Sequence, residues 1–138
     1  MVVYVKLRVR GREERELVVL VNGGAHSPEP VLVVDEITAR ELGYTTGEVA
    51  EASVADARRR VYIVRGAVEL VLVGEEGEEL ARLKAHLVIH PGLEEPLITD
   101  ATIDELGISV LSFSKGLWRH ARDPPGKVRV SAKPPYAL

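Results

Sequence analysis

The chain has 138 residues, a length suited to one domain with a proper core. It contains no cysteine, which excludes disulfides, thiol catalysis and thiolate metal sites. A net charge of -3 gives no electrostatic ground for a nucleic-acid partner, and 46% hydrophobic residues with only 4% aromatics call for an aliphatic, valine-rich core that favours strands.

Val3, Val5, Leu7 and Val9 alternate with Tyr4, Lys6, Arg8 and Arg10, which predicts a half-buried strand rather than a signal peptide. Gly11 to Glu14 is a polar turn, and Glu16 to Val21 returns as a second strand. Asn22 to Pro30, with two glycines, two prolines, a serine and a histidine, is a loop. Val31 to Val34 is a short buried strand. Asp35 caps a short helix that Gly43 ends, with Ile37, Ala39 and Leu42 as its buried positions.

Val49 to Ala55 and Arg60 to Arg65 are expected to pair around a tip at Asp56-Ala57-Arg58-Arg59. Ala67 to Val73 is a further strand, followed by the turn Gly74 to Gly77. Leu80 to His90 fits either period, and the run Leu87-Val88-Ile89 decides for a strand. Asp100 to Leu106 is a second short helix, ended by Gly107. Ile108 to Phe113 and Val128 to Val130 are strands. One domain over 1–131 and a tail over 132–138 follow. No apolar run reaches membrane-spanning length, so a cytoplasmic protein with no membrane partner is expected.

Few residues nominate chemistry by themselves. His86 and His90 would share one face of a helix, as in a zinc site, but no His-Glu-x-x-His pattern frames them and no metal or other cofactor is expected. Arg58, Arg59 and Arg60 suit either an anionic ligand or a solvated hairpin tip. Trp118 reads as a core or subunit-interface anchor. No spacing nominates a catalytic pair among Asp35, Asp56, Asp100 and Asp104.

The stretch Leu20-Val21-Asn22-Gly23-Gly24-Ala25 has the frame of an aspartic-protease loop, two hydrophobic residues followed by Asp, Thr or Ser, Gly and Ala. Glu41-Leu42-Gly43, Ala55-Asp56-Ala57-Arg58, and Leu97-Ile98-Thr99-Asp100 with Glu105-Leu106-Gly107 follow in order. On these segments the chain resembles the retropepsin-like proteins, specifically the single-domain prokaryotic ones, archaeal members included, that end near a Gly-Leu-Trp-Arg run (here Gly116 to Arg119). Val31 to Gly43 and Leu97 to Gly107 repeat one order of strand, helix and Glu-Leu-Gly, matching that family's internal pseudo-twofold.

The resemblance implies a mostly-β acid-protease barrel with two short helices, and a homodimer whose cleft is made by two loops and two flaps. It places the flap and ligand candidates at Asp56, Ala57 and Arg58, and the second hydrophobic motif at Leu97, Ile98 and Thr99. The departures are equally specific. Asn22 stands at the catalytic aspartate and Gly23 at the axis-locking Thr or Ser, while Thr99 and Ala57 replace glycines. Two carboxylates sharing one proton do this family's chemistry, and an amide has no proton to share. With Asn22, Gly23, Gly24 and Ala25 as a degenerate motif, the expectation is a pseudoenzyme holding an extended peptide in a dimer cleft. The rival readings are a hydrolase using another acid and an unrelated small β-barrel binding module.

Overall fold

The computed structural model describes residues 2–54 and 57–134. Chain order gives β1 (Tyr4–Arg10), β2 (Glu14–Val21), β3 (Val31–Val34), α1 (Glu36–Glu41), β4 (Glu48–Val54) and β5 (Ala57–Val73). Then follow β6 (Glu79–Ile89), β7 (Leu97–Ile98), α2 (Asp100–Leu106), β8 (Ile108–Ser112), β9 (Leu117–His120) and β10 (Arg129–Val130).

Alternation builds the first pair. Val5, Leu7 and Val9 are buried while the residues between them are half-buried, and β1 runs antiparallel to β2 with Tyr4 opposite Leu20. The large sheet has the order β1-β2-β7-β3-β6-β5-β4, and β1 also pairs with β5. That extra pairing closes β1, β2, β7, β3, β6 and β5 into a ring, which leaves no free edge among the six. β4 lies outside the ring and pairs with β5 alone, so the β4–β5 hairpin projects as a flap. The ring is filled by aliphatic side chains, among them Leu7, Leu32, Leu70, Leu72, Leu87 and Ile98, all fully buried. The architecture is a mostly-β barrel with two short helices.

Three expectations change. Gly66 does not separate two strands: β5 runs unbroken for 17 residues. Gly66 takes φ 59 at a register shift between Val64 and Val68, so the strand bends through a bulge instead of ending. Ile37 is 59% exposed, whereas Ala39 and Leu42 are buried. Two residues on a helix are about 200° apart, so Ile37 cannot share the inward stripe of Ala39. The third change is an added strand, β9, whose Trp118 and His120 face inward while Leu117 and Arg119 are half-buried. The ambiguous segment from Leu80 is strand β6 as far as Ile89, and His90 lies just beyond it.

The chain is hydrogen-bonded back to β1 near its end: Tyr4 N–H donates to Ser131 Oγ at 2.8 Å, and Ala132 N–H donates to the Tyr4 carbonyl at 2.8 Å. Beside this junction Asp123 and Arg129 form a two-pronged pair, 2.8 and 2.7 Å, with both side chains 5% exposed. The Arg129 hydrogen bonds hold the Asp123 carboxyl far below the usual carboxylate range, against the effect of burial. The guanidinium also lies 5.6 Å from the Trp118 ring.

Candidate functional site

The degenerate loop leaves the end of β2 and is fixed by its backbone. Asn22 N–H donates to the Ile98 carbonyl at 3.3 Å, and Ala25 N–H donates back to the Asn22 carbonyl at 3.1 Å. Asp100 N–H donates to the Ala25 carbonyl at 2.9 Å, which ties the loop to the first residue of α2. The first and second hydrophobic motifs therefore meet directly, as β2 and β7 pair in parallel with Val21 opposite Ile98.

Asn22 folds back on its own loop. Gly24 N–H donates to Asn22 Oδ1 at 3.1 Å. A backbone N–H needs an acceptor, so this contact assigns the side-chain oxygen to that position and turns the Nδ2 amide the other way. Gly23 and Gly24 are both exposed, and neither has a positive φ. A Cβ built on Gly23 would meet nothing within 4 Å, and one on Gly24 would reach only Asn22 Oδ1 at 3.4 Å. Within this chain neither backbone conformation nor packing requires glycine at these two positions.

Residues after the loop form a polar clasp. His26 Nδ1 lies 2.6 Å from Asp100 Oδ2, and Ser27 N–H donates to Asp100 Oδ1 at 3.3 Å. Asp100 is held below its ordinary range first by the His26 hydrogen bond, with the backbone N–H groups of Ala101 and Ser27 adding to it. Ser27 Oγ, Thr99 Oγ1 and Thr102 Oγ1 then run as a chain of hydroxyls, 2.6 and 3.1 Å apart. Thr102 Oγ1 ends the chain on Val31, accepting from its N–H and donating to its carbonyl. Thr99 is 4% exposed, so the threonine at the family's glycine position is built into the core by these hydroxyl contacts. His26 and Asp100 are 74 residues apart, and no periodicity links them. The sequence signal available was only their adjacency to the two hydrophobic motifs.

A cleft of about 920 Å³ lies between this loop and the flap. Its floor carries Val31, Val33, Val88 and Leu97; the flap contributes Ala50, Ala52, Val61 and Ile63. That size and apolar lining suit a bound ligand. Several polar groups on its walls are engaged. His86 Nδ1 accepts the Gly66 N–H at 2.8 Å, so in the neutral ring the proton is on Nε2, 3.3 Å from Glu29 Oε1. Glu51 lies 3.5 Å from Arg58, and Arg65 lies 3.2 Å from Glu48.

Of the flap candidates, Ala57 and Arg58 begin β5, and Asp56 lies outside the described residues. Leu97 and Ile98 are the two residues of β7, with Thr99 after them at the N-terminal boundary of α2. His86, in β6, and His90, just after its end, both line the cleft, but four residues of extended chain span roughly 13 Å, beyond the reach of one metal ion. Among the described residues no three metal-ligating side chains converge. Asp35 caps α1, accepting the Thr38 N–H at 2.8 Å. Trp118 is a core side chain, 4% exposed. Among the described residues no helix is long and apolar enough to cross a membrane.

Comparison with solved structures places this arrangement. The chain is similar to the retroviral protease-like domain of Ddi1 from Leishmania major, with a TM-score of 0.56, 9% identity, and coverage of 96% of this chain and 95% of that one. The fold is retropepsin-like. No family model and no curated protein matches the sequence. At that identity the likeness speaks for architecture alone. The β4–β5 hairpin lies across the cleft from the Asn22 loop.

Proposed function

We propose that this protein is a catalytically inactive retropepsin-fold homodimer that holds an extended peptide in the cleft beneath its flaps. The observation that carries the dimer is the pair Gly23-Gly24. Glycine costs folding entropy, and here the subunit has no use for it in φ or in packing. Its use is then external: a partner backbone approaching closely at the exposed loop. A second copy placed on a twofold axis beside Asn22 supplies that partner and gives one cleft two walls of the same kind.

The loop and the clasp beside it support inactivity. Asn22 offers an amide, and the Asp100 oxygens are taken by His26, Ser27 and Ala101. Peptide holding follows from the flap, because β4 pairs on one side only and leaves a row of backbone groups for an added strand. Light scattering and an acid-pH cleavage assay test the two halves. A dimer at micromolar concentration without pepstatin-sensitive cleavage is expected; a monomer sinks the assembly, and cleavage sinks the inactivity.

A second reading, a hydrolase, rests on the His26–Asp100 pair. Asp100 holds Nδ1, so Nε2 of the 82% exposed imidazole is turned outward, as in a general base aligned by a carboxylate. Turnover of ester or peptide substrates that His26→Gln abolishes, with the fold retained, would move the assignment to this reading.

A further inference from the structure

We infer that the cleft selects a peptide that presents a carboxylate, the reverse of the charge preference that a pair of catalytic aspartates would impose. The inference rests on the dimeric peptide-holding reading above and adds the chemistry of the ligand.

Asn22 gives the first ground. Its Oδ1 already accepts the Gly24 N–H, and Nδ2 has no acceptor among the described residues. Two facing Asn22 side chains would bring four amide N–H donors against two remaining oxygen lone pairs. Even a complete amide pair across the axis leaves donors in surplus. The cleft centre therefore wants an acceptor, and a carboxylate is the strongest one a peptide carries.

The flap gives the second ground, and it is independent. Strand register sorts the three arginines of the tip. Arg59 is paired with Ala52, and Arg60 with Glu51. Directly paired residues share a sheet face, and faces alternate along the strand. Ala50, Ala52, Val61 and Ile63 line the cleft, and Arg59 lies on their face, two residues nearer the tip than Val61 and outside the lining itself; Arg58 and Arg60 share the opposite face with Glu51 and Ser53, which reach the lining as well.

Pairing then separates Arg59 and Arg60 from the charges that line the cleft, and of the two only Arg59 shares the face of Ala52 and Val61. The lining carboxylates Glu29 and Glu51 have His86 and Arg58, and the lining Arg65 has Glu48. Arg59 has neither ion pair nor hydrogen bond among the described residues. An uncommitted guanidinium on the flap face that carries Ala52 and Val61 and a donor surplus at the loop both call for the same ligand group. A carboxylate of an Asp or Glu side chain and a C-terminal carboxylate share that chemistry.

Fluorescence anisotropy with three labelled probes tests this. The probes are a threonine- and valine-containing pentapeptide with a central glutamate and an amidated C-terminus, its glutamine counterpart, and the glutamine counterpart with a free C-terminal carboxylate. The glutamate probe is expected to bind about tenfold tighter than its amidated glutamine counterpart, the size of a charge-assisted hydrogen bond. Tighter binding of the free-acid probe instead assigns the chain end as the source. Arg59→Gln should narrow the preference by weakening the glutamate probe more than its amidated glutamine counterpart, leaving the share that Asn22 supplies, and Arg60→Gln on the opposite face should not narrow it. Equal binding of all three probes overturns the carboxylate preference while leaving peptide holding intact. A preference that Arg59→Gln leaves undiminished removes Arg59 from the account. Binding of no probe overturns the peptide reading itself.

Discussion

If the proposed dimer forms at the Asn22 loop, replacing Gly23 by alanine pulls subunit and assembly in opposite directions. Inside one subunit the new methyl meets nothing within 4 Å, and the backbone there is not in the left-handed region. The substitution then acts on the unfolded chain, whose freedom it reduces, and stabilises the subunit by about 0.4–1 kcal/mol. For a domain of this size that is a rise in Tm of roughly 1–4 °C. At a twofold interface the same methyl has to be accommodated where two backbones meet. Overfilling a close-packed contact costs about 1–3 kcal/mol. Symmetry counts the change twice, so dimerisation loses about 2–6 kcal/mol. That is a Kd weaker by roughly 30-fold to 10⁴-fold. Sedimentation across a concentration series reads the second effect, and thermal unfolding at dilutions where both proteins are monomeric reads the first. A Gly23→Ala variant that dimerises like the parent refutes the interface argument. A variant whose monomer is destabilised shows that the subunit itself needed glycine, and the reasoning from empty space fails.

Three further outcomes are expected. Asn22→Asp restores no measurable acid-protease activity, because Gly23 still lacks the hydroxyl that locks the loop across the axis; processing of an unfolded protein substrate at acid pH is the measurement, and robust pepstatin-sensitive turnover contradicts it. Thr102→Val keeps the shape but strips the buried Val31 N–H and carbonyl of their side-chain partner, costing roughly 2–6 kcal/mol at about 1–3 kcal/mol per unsatisfied group, read by urea unfolding. Asp123→Asn leaves Arg129 buried without its counter-charge and costs about 3–5 kcal/mol. Asp123 has a depressed folded-state pKa, so its contribution is complete above about pH 4, the unfolded-state range, and is lost as pH falls toward the folded value. The parent should therefore lose stability below about pH 4 with a component the Asn variant lacks, and parallel acid-unfolding curves would count against the pair.

Local pattern carried most of the barrel. The alternation in β1 and the apolar run of β3 read directly, and the cap at Asp35 formed as its chemistry demands. What pattern could not supply was whatever depends on partners far along the chain. Gly66 looks like a break, and it becomes a bend because β6 continues beneath it and His86 takes up its N–H. β9 has only four residues, and its identity as a strand comes from β8 and β10 on either side. The site divides in the same way. Asn22 and Thr99 were visible as departures from a motif, but the hydroxyl chain that makes Thr99 structural needs Ser27 and Thr102 in place. Three adjacent arginines read alike in sequence, and only the register with β4 tells Arg59 from its neighbours.

The closed ring sets the order in which this molecule can assemble. β1 cannot find its second neighbour until β5 exists, since Lys6 pairs with Val73, and Tyr4 is bonded to Ser131 at a sequence separation of 127. Loop closure over such distances must be met before the contacts return anything, so folding belongs in the millisecond-to-second class typical of non-local β topologies. During synthesis β1 and β2 emerge as a lone hairpin, marginal in water, and β1 keeps an unpaired edge until β5 follows. The arginines and glutamates of that hairpin, Arg8, Arg10, Glu14 and Glu16, then act as gatekeepers, discouraging association with another nascent chain before the ring has closed.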